Sequence, residues 1–188
     1  GNLRVEVLTE GVHSGDASGI VPSSFRILRL LLDRLEDATS GRIKPEWLWV
    51  EIPPHRMEEA RQTARILGDE VFSKFPWIGD MQPVAKNPVE LLLNRTWRPA
   101  LAVTGQEGIP DLVQGGNVLR PRTALKLWIR TPPTLNVSGL DAKLKKLFET
   151  DVPYGARVLF EAEKAGTGWQ APKIATWLEK SIESASKT

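Results

Sequence analysis

The chain has 188 residues, 41% hydrophobic and 26% charged, with 25 cationic and 23 anionic side chains and no cysteine. Those totals suit one well-packed domain, or a small domain carrying an insertion, and they exclude disulfides, thiolate catalysis and thiolate metal sites. The near-balance of charge, formally +2, gives no support to a nucleic-acid partner, which needs cations clustered on one face, and no apolar run approaches the roughly 18 residues of a membrane span.

Leu3, Val5 and Val7 alternate with Arg4 and Glu6, predicting a half-buried strand rather than a signal peptide at the start. With no leader and no cysteine, a cytoplasmic address is expected. Residues 10–24, EGVHSGDASGIVPSS, follow as a glycine-rich loop around one of only two histidines. Pro22 suits a first helical turn and Ser23 or Ser24 a cap; Phe25, Leu28, Leu31, Leu32 and Leu35 then form an apolar stripe, with Arg26, Arg29, Asp33 and Arg34 on the wet face.

Residues 44–94 read as an elaboration hung on a simpler fold. Within them a helix over 54–75 is predicted, its stripe Met57, Ala60, Ala64, Leu67 and Val71, started by Pro53 and Pro54 and stopped by Pro76. Turns and a short apolar segment over 89–93 come next. A strand over 100–104 ends at GQEGIPD, and QGGN (114–117) is a turn. Residues 123–130 alternate, with Leu125, Leu127 and Ile129 on one side and Ala124, Lys126, Trp128 and Arg130 on the other. A helix over 139–148 turns Leu140, Leu144 and Leu147 inward, Pro153 and Gly155 make a turn, and a strand over 157–162 has Val158 and Phe160 on one face. A terminal helix after Pro172 carries Ile174, Trp177, Leu178 and Ile182. Without the insertion the order is βαββαβ. The expected fold is α+β and ferredoxin-like: a four-stranded antiparallel sheet with two helices on one face, plus a helical insertion and a C-terminal helix.

The residue inventory disfavours an autonomous active site. His13 and His55 stand in no metal-ligand spacing, and there is neither a Gly-x-Ser-x-Gly elbow nor a P-loop. What remains is a trio of polar groups at strand ends. His13 can donate to a developing oxyanion, Arg130 can hold a carboxylate bidentately, and the Asn117 amide can do either. Each also has an ordinary reading: a solvated loop histidine, a turn asparagine, a strand arginine in a surface ion pair. Gly15 and Gly19 can simply serve tight turns, and His55 beside two prolines reads as structural.

The segment GVHSGDASGIVPSSFRILRLLLDRLED resembles the His-Ser-Gly segment of the zinc aminoacylase and carboxypeptidase family, which includes acetylornithine deacetylase, succinyl-diaminopimelate desuccinylase, carboxypeptidase G and the carnosine dipeptidases. GNVLRPRTALKLWIRTPP and LFETDVPYGARVLFEAEKAGTGWQAP continue the likeness in order, and the insertion and the HSGDASG wording look closest to the carnosine-dipeptidase-like branch. The resemblance implies a lid, or dimerisation, domain over 1–171, with 172–188 forming a helix at the junction to a catalytic domain. Two zinc ions would belong to that catalytic domain, and no metal or other cofactor to this chain. His13 would stabilise the oxyanion in the active site of a partner subunit, Asn117 would contact substrate, Arg130 would grip its carboxylate, and Gly15 and Gly19 would shape the loop. The implied partners are a second lid, the catalytic domain, and a peptide or N-acyl amino acid; the chain alone would be inactive. Two other readings stay open beside this one. The first is a free-standing ferredoxin-like module holding a carboxylate ligand with Arg130 and Asn117. The second is a nucleic-acid binder using Lys126, Trp128 and Arg130, disfavoured because those strands offer no Phe or Tyr platform.

Overall fold

A computed structural model describes residues 1–163, 165–172 and 174–186. The chain runs β1 (Asn2–Glu6), β2 (Val12–His13), α1 (Ser14–Ala17), α2 (Ser24–Leu35), α3 (Pro54–Leu67), α4 (Glu70–Ser73), α5 (Pro88–Thr96), β3 (Ala100–Glu107), β4 (Val118–Leu119), β5 (Arg122–Arg130), α6 (Leu140–Glu149), β6 (Arg157–Glu161) and α7 (Thr176–Ala185). The main sheet has the order β3-β5-β1-β6 with every pairing antiparallel. With β2 and β4 set aside in a small ladder of their own, that is the expected α+β, ferredoxin-like arrangement. Helices α2 and α6 pack together and cover one face.

The covered face follows from the alternation in the strands. Leu3 and Val5 of β1, Leu125 and Leu127 of β5, and Phe160 of β6 meet Ile27, Leu28, Leu31 and Leu35 of α2 and Leu140, Leu144 and Phe148 of α6. Phe148 and Phe160 stack tilted with centroids 5.2 Å apart, a geometry worth about 0.5–1.5 kcal/mol beyond area burial. The other face carries an ionic lattice: Arg4 and Arg122 both reach Glu107, Arg157 reaches Glu6, and Lys126 reaches Glu163. The hydrogen bond and charge of Lys126 hold the Glu163 carboxyl below the ordinary carboxylate range. Trp128 stands exposed on that face.

Several boundaries differ from the sequence reading. Pro22 lies outside α2, whose N-cap is Ser23, and Phe25 is exposed while Ile27 takes the core position. The helix expected over 54–75 breaks at Gly68, which ends α3 with φ +51°; a short second helix, α4, then brings Val71 onto α5. The apolar stretch around 89–93 is itself helical, started by Asn87, whose side chain accepts the Val89 N–H. Ile43 and Leu48 are wholly buried in the main core, so the first residues of the 44–94 segment belong to the sheet unit. β3 runs past Thr104 to Glu107 by way of a register shift between Val103 and Gly105. In α6 the fully buried position is Phe148, with Leu147 only half-buried. The apolar stripe of α7 lies open to solvent among the described residues.

One arginine fastens the two covering helices. Arg34 donates from Nη1 to the carbonyls of Leu147 (3.0 Å) and Thr150 (2.6 Å), and from Nη2 to Asp151 (2.6 Å). It thereby satisfies carbonyls that α6 leaves unpaired at its C-terminus and places a cation at the negative end of the helix dipole. Arg34→Met keeps the apolar stem but removes these donors. The urea midpoint is expected to fall by the equivalent of about 1–3 kcal/mol with an unchanged slope.

Asp37 fixes the turn after α2, its Oδ1 accepting from Ser40 N (2.7 Å) and Oγ (2.6 Å). These bonds lower its pKa. A carboxyl depressed in the folded state adds stability that is present above its unfolded pKa and is lost as pH falls through the lower folded value. Chemical denaturation should therefore find Asp37→Asn less stable than the parent at neutral pH, with the difference closing in acid.

Candidate functional site

The His13 loop is held by an extension of the β1–β5 pairing. That ladder ends at Glu6↔Arg122. The next carbonyl, of Pro121, accepts the N–H groups of Val7 (2.8 Å) and Leu8 (3.3 Å). The chain loops out and returns as β2, pairing Val12↔Leu119 and His13↔Val118 with β4. Ser14 N then donates to the Asn117 carbonyl (2.9 Å). Gly11 allows the two strands to approach, since a Cβ there would meet Val118 Cγ1 at 2.8 Å. The structure thus brings the backbone of Asn117 next to that of the His13 segment, although 103 residues lie between the two.

The imidazole is oriented. Nδ1 of His13 accepts the Gly15 N–H at 3.1 Å; in the neutral ring this assigns the proton to Nε2. His13 is exposed, so the group it offers outward is an N–H donor. Gly15 is required by that contact, because a Cβ would sit 2.9 Å from His13 Cε1 and 3.0 Å from Nδ1. Gly19 adopts φ +89°, where an L side chain is strained. Asn117 is exposed and its side-chain amide has no partner among the described residues.

Arg130 is elsewhere. It ends β5 at the side away from His13. Eight strand steps from Arg122 place it about 26 Å away along the strand. Its Nη1 donates to the carbonyl of Arg95, at the C-terminal end of α5 (2.7 Å), a position where a helix favours a cation. Arg130 pairs with no carboxylate among the described residues, leaving most of its donors available. Beside it, Arg95, Arg56, Thr63, Trp97 and Trp169 help to line a cavity of about 370 Å³ between the insertion and the C-terminal segment. His55 is exposed in the first turn of α3.

Among the described residues no three His, Asp or Glu side chains gather into a group that could hold a metal ion, and no helix is long and apolar enough to cross a membrane. The sequence reading missed the carbonyls of Pro121 and Arg95 as anchors for His13 and Arg130. Backbone acceptors leave no residue-type signal, and only the tight spacing of Pro121 before β5 hinted at one.

No protein-family model matches the sequence, and no curated protein matches it. Solved structures do share its fold. Human carnosine dipeptidase 1 superposes with a TM-score of 0.69 at 21% identity, over 99% of this chain and 40% of that one. The M20 family metallo-carboxypeptidase Sso-CP2 from Sulfolobus solfataricus gives 0.64 at 17% identity, over 99% and 48%. The di-peptidase Dug1p from Saccharomyces cerevisiae gives 0.60 at 18%, over 84% and 34%. This chain therefore has the fold of a part of such proteins, spanning less than half the length of each. The match falls on the group of enzymes that the His-Ser-Gly segment resembles.

The contact between Gly15 and the ring yields a direct test. Gly15→Ala should displace the imidazole and free Nδ1. Long-range ¹H–¹⁵N spectra should then show the excess of the Nε2–H tautomer falling toward that of an unconstrained imidazole, while Gly116→Ala, at an open position, leaves the His13 signals in place.

Proposed function

We propose that this chain is the lid and dimerisation domain of a zinc-dependent peptidase or amidohydrolase, and that it completes active sites whose metal-holding residues lie outside it. The observation that carries the reading is the exposed imidazole of His13, its Nδ1 bonded to Gly15 N–H so that Nε2–H is left to donate, on a loop joined by a backbone bond to the segment of Asn117, on a fold shared with dipeptidases and a metallo-carboxypeptidase. Two zinc ions are implied by the resemblance and would activate water and polarise the scissile carbonyl. In this reading the chain's own part is hydrogen bonding and charge.

His13 supplies a preformed donor to the oxygen on which charge builds during attack on an amide carbonyl. Removing one such donor typically costs about 10²–10³ in turnover. Asn117 gives a second polar contact, and Arg130 binds the free carboxylate of the substrate with paired N–H donors.

The separation of these groups dictates how they are shared. A dipeptide extends only about 7 Å, far less than the length of β5, so His13 and Arg130 of one chain serve different substrates. The two ends of the unit support a division of labour. Gly1 pairs with Leu127 through both its N–H and its carbonyl, and β6 ends where Glu161 meets Asn2. A longer chain would thus enter and leave this domain at the Arg130 side. Arg130 then serves the catalytic domain of its own chain, and His13, at the remote end, serves that of a partner. A two-fold dimer supplies each site with one of each.

Complementation in the longer protein tests this sharing. His13→Ala and Arg130→Ala should each be inactive as homodimers. Mixed and reassociated, they should regain about a quarter of wild-type turnover of dipeptides, because half the dimers are hybrids with one intact site. No regain would refute the division. Zinc-dependent hydrolysis by the 188-residue chain alone would refute the lid reading itself.

A further inference from the structure

Leu112 and Val113 are each 97% exposed, the most solvent-exposed large apolar side chains in the chain. They stand at the tip of the loop joining β3 to β4, and nothing in the βαββαβ unit covers them. An adjacent aliphatic pair left in water on a loop tip is costly to solubility and gains nothing for folding, so its place in the molecule matters.

That place is on the loop that leads into Asn117. The tip is a tight turn, with Gln114 N donating to the Asp111 carbonyl (3.1 Å). Gly115 folds back on it, its Cβ direction facing the Leu112 carbonyl at 3.4 Å and the Asp111 carbonyl at 3.6 Å. The loop then passes through Gly116 to Asn117, which is bonded through Ser14 to the His13 segment. The apolar pair and the two polar groups therefore belong to one corner of the fold, at the end of the sheet remote from Arg130.

We infer that Leu112 and Val113 form the specificity surface for the acyl side of the substrate, the residue or acyl group that contributes the scissile carbonyl. The inference rests on the lid reading. His13 and Asn117 meet that carbonyl from one chain, whereas the carboxylate on the leaving side is met by Arg130 of the other. The group carried by the carbonyl thus faces the loop that carries Asn117. Its chemistry must match a Leu–Val pair: a branched aliphatic, aromatic or medium-chain acyl group, in preference to glycyl or acetyl.

The test uses the longer, zinc-loaded protein and a series with alanine constant on the leaving side: Gly-Ala, Val-Ala, Leu-Ala, Phe-Ala, N-acetyl-alanine and N-hexanoyl-alanine. The parent should favour the bulkier member of each type by roughly tenfold to a hundredfold in kcat/KM, the range that apolar pockets achieve. In the double variant Leu112→Ser with Val113→Ser, both positions being on the surface, the ratios Leu-Ala to Gly-Ala and hexanoyl to acetyl should collapse toward one. Unchanged ratios overturn the inference, including the case where all rates fall together because the pair merely packs against a neighbouring domain. His13→Ala separates the two readings. If it abolishes hydrolysis of the whole series while the double variant keeps its ratios, the lid reading stands and the specificity surface falls. If the parent hydrolyses none of the series, both fall.

Discussion

The antiparallel pairing of β1 with β5 is the constraint on which the rest depends. Its register, from Asn2↔Lys126 to Glu6↔Arg122, sets the covered face, because a slip of one residue would turn Leu3, Val5, Leu125 and Leu127 away from the helices. The same pairing, continued through the Pro121 carbonyl into the β2–β4 ladder, carries His13 at one end. At the other end it carries Arg130, steadied by the last turn of α5. A β-strand has almost no extensibility, so the distance between the two polar ends is fixed by residue count alone. The sheet acts as a ruler that keeps His13 and Arg130 apart within one copy.

The parts of this design that were legible in the sequence are those written in a local period. β5 could be read because one of its faces is buried and the other is not, and Leu125, Leu127 and Ile129 therefore alternate with Lys126, Trp128 and Arg130. The Leu-rich α2 was readable for the same reason, although a stripe about 100° wide did not distinguish Phe25 from Ile27. The helix over 54–75 was overextended because Val71 keeps helical phase with Leu67 across Gly68. The break is a backbone event, the left-handed turn at that glycine, while both pieces pack on α5. Asn87 and Pro88 were a usable start signal for α5; its apolar residues were too few to force the reading. The length of β3 was hidden by its bulge, which interrupts the alternation that marks a strand.

The site was only half legible. Its residue types stood out because glycines crowd around a lone histidine, but the proximity of His13 to Asn117 depends on a two-residue ladder with no periodic signature. The remoteness of Arg130 likewise follows from which end of β5 it occupies, a matter of topology. Residue chemistry suggested roles for the trio; strand direction sets His13 and Arg130 at opposite ends of the sheet.

A smaller feature, the Ser24–Thr123 pair, ties the far end of the histidine loop to the sheet. The two hydroxyls lie 2.8 Å apart and almost wholly buried, where α2 starts and β5 begins. Each is the other's only side-chain partner among the described residues, so losing either one strands a polar group in an apolar setting, whereas losing both together leaves no such orphan. Descendants of this sequence should therefore vary at these two positions in concert, and the route between two permitted combinations passes through a less fit single change. The loop that presents the imidazole thus rests on a small epistatic lock.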